Sequence, residues 1–374
     1  MVDKLRIGLY ESLGAPISRR QFMNLGGLAL AGAILPRFGP PGRRQDLQIR
    51  ENLGRVTVGR MDLKDRPSVE GTTVGVLYQD AIVERLREVV GYQPNRLNQR
   101  WLETPQGFLW SGAVQPVADR PNAPVEELPQ TSLGPGMWVE VTVPFVDLQL
   151  ANPPARAPWL RARLEEGAAP RFYYSQIVWV DDIRLEADGR ATYRFNERYG
   201  YGDLFWAPAE AFRPLTTSDV DPIRPEAADK RIKVDVAHQT LQCFEGAQEV
   251  YFCRVSTGAL YNYRGERVET WGTPPGTHSI WRKALSLPLS GGSADVGWDL
   301  PAVGWVSLFV GTGVAIHSTY WHDNYGEPSS RGCVNASPKD AQWIFRWTSP
   351  VVPYDPGDLT VGMPGGTRVE VVEV

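Results

Sequence analysis

The residues best suited to chemistry are His317, at the end of the apolar run Val314–Ile316, and Cys333, in the turn Ser330-Arg331-Gly332-Cys333-Val334-Asn335. A free thiol is mostly protonated at neutral pH, and the thiolate is the nucleophile. An imidazole within reach removes the proton and makes the sulfur reactive toward carbonyls. Gly332 lets the backbone turn tightly and aim N–H groups at an oxyanion forming beside the sulfur. On this reading Cys333 is the nucleophile and His317 the general base. Ser318 orients the imidazole through its backbone carbonyl or hydroxyl, and Gly332 shapes the oxyanion site. The chemistry is acyl transfer.

An isolated cysteine is more often a buried, inert side chain, and an isolated histidine a satisfied one. Here Ser330, Gly332, a histidine at a strand end and a helix start behind the cysteine agree, and that agreement favours catalysis. His322, five residues after His317, is the rival base. His238 lies beside a turn and His278 follows Gly276-Thr277; both read as ordinary surface or half-buried side chains. The four histidines have no metal-ligand spacing, and neither Cys243 nor Cys253 has a Cys-x-x-Cys partner. No zinc site and no cofactor is expected.

His317-Ser318, a connecting loop and Ser330-Arg331-Gly332-Cys333-Val334-Asn335 resemble the active-site signature of the L,D-transpeptidase (YkuD-type) catalytic domain. The resemblance runs from about Asp229 to Val374. It takes in Thr273-Pro274-Pro275-Gly276-Thr277 and the stretch from Asn335 to Trp343 after the cysteine. That family cross-links bacterial peptidoglycan. One position departs, because the family usually carries histidine where this chain has Arg331. Arginine is no base near neutral pH, but it can hydrogen-bond an oxyanion or a substrate carboxylate.

The resemblance implies that Cys333 attacks the carbonyl before the terminal D-residue of a tetrapeptide stem. The D-amino acid leaves, and an amine of a neighbouring stem resolves the thioester. Peptidoglycan stem peptides are the expected partners, and carbapenems the expected covalent inhibitors. Arg331, Ser330, Asn335, Tyr320 and Trp321 are the candidates for substrate contact: the two aromatic rings either floor the groove or simply pack, Asn335 holds the turn or a peptide carbonyl, and Arg331 either contacts substrate or is a solvated side chain. Two readings stand beside this one: an L,D-carboxypeptidase with water as acceptor, and a non-catalytic wall-binding protein, which Arg331 in place of histidine keeps in view. A sortase-like enzyme spaces its histidine and cysteine much further apart. Papain-like and NlpC-type hydrolases place the cysteine first.

The elements that must position these residues read as mainly β. A chain of 374 residues suggests two or three domains. Its 37 glycines and 31 prolines favour turns and short strands over long helices. The expected fold is a C-terminal YkuD-like β-sandwich or barrel with a short helix after Cys333, preceded by one or two small SH3-like barrels. The expected domains are an export signal at 1–36, a linker at 37–46, an SH3-like module at 47–118, a second β-rich module at 130–216 and the catalytic domain at 229–374.

The first module resembles a bacterial SH3-like (SH3b) domain in its Arg66-Pro67-Ser68 turn, Trp101 and Gly107-Phe108-Leu109-Trp110. The second ends in Leu204-Phe205-Trp206-Ala207-Pro208, which echoes Phe108–Ser111, and it reads as a similar module with an insertion.

Residues 18–24, Ser-Arg-Arg-Gln-Phe-Met-Asn, precede the apolar run Leu25–Leu35. This looks like a twin-arginine export signal. The run is shorter than the ~20 residues of a spanning helix, and an uncleaved signal would still associate the protein with the membrane. The expected location is extracytoplasmic, at the cell wall or surface. The formal charge of −4 and the lack of a basic patch argue against nucleic acid.

Within the C-terminal domain, Ile232, Val234 and Val236 alternate as a half-buried strand does. Leu241–Phe244 and Val250–Val255 read as a hairpin turning near Gly246-Ala247. A two-residue turn there sets Val250 opposite Cys243 and Thr240 opposite Cys253, which puts the two sulfurs on opposite faces without a disulfide. The segment 282–305 reads as a long Gly/Ser/Pro loop, and the family resemblance implies that this region caps the substrate groove. Ser337 and Asp340 with Pro338 mark a helix start, and Trp343, Ile344 and Trp347 give that helix an apolar stripe. Val369–Val374 closes the sheet.

Overall fold

The computed structural model describes residues 48–259, 261, 266–268, 271–291 and 298–373. The expected export signal and nearly all of the linker after it lie outside the described residues. The fold is mainly β, with α-helices at Pro158–Glu165, Thr217–Val220 and Pro338–Trp347 among the described residues.

Two β-rich units precede the C-terminal domain. In the first, the strand Arg50–Val56 pairs with Ile82–Glu84 and Val114–Asp119, against a five-stranded sheet centred on Gly107–Trp110. Val56, Leu63, Leu102 and Leu109 fill the space between. The second is a six-stranded sheet in which Met137–Val141 pairs with Ile177–Leu185 and Phe212–Pro214. Each unit ends in the same way. A hairpin strand (Gly107–Trp110 or Leu204–Pro208) runs into a 3₁₀ turn (Ser111–Ala113 or Ala209–Ala211), and a last strand then returns to pair with the first. Arg171–Tyr173 and Ile177–Leu185 are separate strands in different sheets. Ser175 between them has φ +72°, a left-handed turn that breaks the strand.

The C-terminal domain packs two five-stranded sheets. One runs Gln248–Arg254, Thr240–Glu245, Lys230–Asp235, Arg368–Val372, Gly276–Ser279. The other runs Val334–Ala336, Ala315–Ser318, Trp298–Leu308, Arg282–Gly291, Asp358–Thr360. Ile232, Leu241, Trp305, Ile316, Val334, Ile344 and Val369 meet between the sheets and the helix Pro338–Trp347. Ser337 caps that helix, its Oγ accepting from the Asp340 N–H, with Pro338 at the first turn.

Three expectations need correction. The described residues of 282–305 are strand rather than loop: Arg282–Gly291 and Trp298–Leu308 form a long antiparallel pair. Leu285, Leu287 and Leu289 alternate with Ser286 and Pro288, and the proline is accommodated where the register shifts between Leu287 and Leu289. The strand Arg368–Val372 does not close its sheet but lies inside it, parallel to Lys230–Asp235 and flanked by Gly276–Ser279.

The hairpin register also differs. Glu245 pairs with Gln248 and a bulge falls between Cys243 and Phe244, so Cys243 faces Tyr251 and Cys253 faces Leu241. The bulge absorbs one residue and turns both thiols into the same core. Both are free and buried, and burial pushes both thiols up.

Candidate active site

His317 and Cys333 are brought together by two parallel strands, the edge strand Val334–Ala336 and its neighbour Ala315–Ser318. Ile316 pairs with Val334, His317 with Asn335 and Ser318 with Ala336. Side chains alternate along a strand, so Ile316 and Val334 point into the main core. Cys333, just before this pair, shares the opposite face with His317, one diagonal step away. Cys333 there joins an apolar cluster with Ala315, Leu300, Tyr320, Trp321 and Trp281.

The imidazole of His317 is buried and held in one tautomer. Its Nδ1 lies 2.9 Å from the Ser318 carbonyl oxygen. A carbonyl only accepts, so Nδ1 carries the proton and Nε2 is left as the basic atom. Burial pushes the imidazolium pKa down to about 4, so the ring is neutral and able to accept a proton at physiological pH. Burial acts in the other sense on Cys333, pushing the half-buried thiol up to about 11 while the Ala315 N–H pulls it down. The resting pair is therefore a neutral thiol and a neutral imidazole.

The turn that presents the sulfur is built from within and from below. Ser330 Oγ donates to the Cys333 carbonyl at 2.5 Å and accepts from the Gly332 N–H at 3.2 Å. Gly332 has φ +120°, a backbone conformation that side chains rarely adopt, and the turn requires it. From below, Thr273 Oγ1 donates to the Gly332 carbonyl at 2.9 Å and accepts from the Gly258 N–H at 2.9 Å. The Thr273–Thr277 segment thus lies under the cysteine turn, a role its sequence alone did not assign.

The other expected residues divide. Arg331 is exposed and its guanidinium lies over the Trp271 ring at 5.0 Å. Trp321 is half-buried, with its ring 5.8 Å from that of His317. Tyr320 is buried rather than at a groove surface; it stacks on Tyr173 and its hydroxyl donates to the Pro301 carbonyl at 3.2 Å. Asn335 is buried too, and its side-chain amide meets His322 Nε2 at 3.0 Å.

His322 has partners on both ring nitrogens. The Asn324 N–H donates to Nδ1 at 3.1 Å, so the neutral ring carries its proton on Nε2 toward the Asn335 amide, whose oxygen accepts once the amide is turned over. Burial, and then the neighbouring His317, push His322 down to about 3. Both nitrogens serve to brace the loop against Asn335.

Tyr173 and Arg55 reach this neighbourhood from the two preceding units. Arg55 donates to the Tyr320 carbonyl at 2.5 Å. Neither carries a local sequence signal, because their proximity arises only when the units pack.

Residues 229–371 match the family model described as the L,D-transpeptidase catalytic domain (YkuD). The C-terminal part of the chain therefore carries an L,D-transpeptidase catalytic domain. Among solved structures, the chain is similar to an L,D-transpeptidase of Enterococcus faecium, at 22% identity over 40% of this chain and 51% of that one, with a TM-score of 0.30. It is similar to an L,D-transpeptidase from Mycobacterium smegmatis at 17% identity, over 49% of this chain and 90% of that one, with a TM-score of 0.30. The E. faecium catalytic domain acylated by ertapenem is 24% identical over 38% of this chain and 97% of that one, with a TM-score of 0.28. The match spans about half the length of the first of these structures. A comparison with curated proteins found no match.

Proposed function

We propose that this chain is an exported peptidoglycan L,D-transpeptidase with Cys333 as nucleophile and His317 as general base. The observation that carries the proposal is the placement of His317 and Cys333 on one face of two paired strands, inside a domain that matches the L,D-transpeptidase model. Nε2 of His317 takes the thiol proton as sulfur attacks the carbonyl before the terminal D-residue of a tetrapeptide stem. The oxyanion is received by backbone N–H groups of the Ser330–Cys333 turn other than those of Ser330 and Gly332, which are bonded to the Thr257 carbonyl and to Ser330 Oγ; one such donor is worth about 3–4 kcal/mol. The protonated imidazole then gives its proton to the departing D-amino acid, leaving a thioester. An amine of a second stem attacks the thioester carbonyl, losing its proton to His317; the C–S bond breaks, the imidazolium returns that proton to the departing Cys333 sulfur, and the cross-link forms.

Arg331, exposed at the rim and stacked on Trp271, suits a substrate carboxylate better than proton transfer. The shared ending of the two N-terminal units, a 3₁₀ turn between a hairpin strand and a strand pairing with the first, supports reading them as SH3-like wall-binding modules. The Arg19-Arg20 segment and the apolar run after it support export by a twin-arginine route.

Intact mass of the full chain after incubation with ertapenem, beside Cys333→Ala, tests the reaction. A one-to-one adduct lost in the variant is expected. No adduct on folded, reduced protein would move the reading to a wall-binding protein. Incubation with a tetrapeptide stem, with and without an acceptor amine, separates transpeptidation from carboxypeptidation by product mass.

A further inference from the structure

We infer that Arg55, in the first β-rich unit, is a positioning residue for the reactive centre. It acts by holding the loop Thr319–Glu327 that follows His317-Ser318. The inference rests on the proposed acyl transfer only for its kinetic readout.

Arg55 is 2% exposed. All three nitrogens of its guanidinium are engaged: NH1 donates to Asp80 at 2.8 Å, Nε and NH2 donate to the Gln115 side chain at 3.1 and 2.7 Å, and NH2 donates to the Tyr320 carbonyl at 2.5 Å. The guanidinium also lies over the Tyr173 ring at 4.2 Å, and Tyr173 stacks on Tyr320. Asp80 binds Arg171 of the second unit at 2.8 Å. One buried arginine thus ties both N-terminal units to the backbone of the loop. A planar fork with several fixed donors suits this task, and lysine would not replace it.

The same unit grips the loop further along. The Asp323 N–H donates to the Gly112 carbonyl at 3.1 Å, and Arg100 donates to the Asp323 carbonyl at 2.9 Å. The Asn98 side-chain amide donates to Asn324 at 3.0 Å, and the Asn98 backbone N–H donates to Glu327 at 2.8 Å. The grip is needed because the loop is not packed on both sides. Thr319, His322, Asp323 and Tyr325 border a cavity of about 770 Å³ between the three units. On its other side the loop places Tyr320 and Trp321 in the cluster that contains Cys333, and Trp321 beside His317. Loosening Tyr320 therefore shifts the wall against which thiol and imidazole are aligned. A small misplacement of reacting groups is costly to rate.

The test uses the full chain with Arg55→Met, Arg55→Lys and, as a second break at the far end of the grip, Asn98→Ala. Thermal melting establishes that each is folded at the assay temperature. Acylation by ertapenem is followed by intact mass over a range of concentrations, and amide hydrogen exchange is measured over 319–327. Arg55→Met is expected to lower the limiting acylation rate at least tenfold with little change in half-saturating concentration, and to speed exchange in 319–327. Arg55→Lys and Asn98→Ala are expected to fall between. A purely structural arginine would lower the melting temperature and leave the limiting rate of the folded protein unchanged, and that result overturns the inference. If Arg55→Met does not fold, the other two variants decide by the same criteria. If the wild type is not acylated, the proposed function falls instead, and unchanged exchange in 319–327 then overturns the positioning role on its own.

Discussion

Thr273 and Gly332 share one hydrogen bond, 2.9 Å from hydroxyl to carbonyl, that joins the segment before the strand Gly276–Ser279 to the turn before Cys333. The same hydroxyl receives the Gly258 N–H. Three segments of the chain therefore converge on one buried oxygen next to the turn that carries Cys333.

Replacing that oxygen by a methyl group leaves a donor and an acceptor unsatisfied in a buried place, at a cost of about 1–3 kcal/mol. Thr273→Val is expected to acylate about tenfold more slowly with ertapenem and to melt a few degrees lower. Acylation at the wild-type rate would show that the turn keeps its shape without Thr273.

The opposed shifts of thiol and imidazole predict a distinctive pH dependence. His317 is held down to about 4 and so stays unprotonated above that pH. Cys333 is pushed up to about 11 and so stays protonated below that pH. Acylation is expected to be level from roughly pH 5.5 to 9 and to fall on the acid side as the base takes its proton. Alkylation by iodoacetamide, which needs thiolate but receives no help from an oxyanion site, should be slow at pH 7 and climb into the alkaline range. Fast alkylation with a midpoint well below pH 7 would mean that a thiolate–imidazolium pair is already formed at rest.

Lys283 is 1% exposed and donates to the carbonyls of Phe345, Thr348 and Pro350 at 2.5, 2.7 and 2.7 Å, closing the end of the helix that follows the Cys333 turn. Lys283→Met removes the buried charge but strands three acceptors. The second effect is expected to win, for a net loss of about 2–3 kcal/mol. Urea unfolding reads this directly, and an unchanged or raised midpoint rejects it.

The turn that carries Cys333 and the helix behind it were legible in the sequence because their parts are local: Ser330, Gly332 and Cys333 lie within one turn, and the Ser337 cap lies just beyond it. The tautomer-fixing carbonyl of Ser318 was legible for the same reason. Asn335 and Tyr320 were harder, because whether such side chains face a groove or the interior depends on what packs behind them. Here His322 and Tyr173 do. The long pair 282–308 was obscured by glycine, serine and proline, which mark turns in isolation but are tolerated in a strand at a register shift. The hairpin at Cys243 was missed by one residue because a bulge leaves no signature in composition. Arg55 looked like any strand arginine, and only the packing of three units makes it exceptional.

The hydrogen bond from Arg55 to Tyr320 spans 265 residues of chain. A contact of that separation can form only after nearly the whole polypeptide exists and the units around it have folded. The thiol centre is consequently among the last parts of the molecule to reach its final geometry. A nascent or arrested chain ending before residue 320 has the first two units but neither the loop nor Cys333.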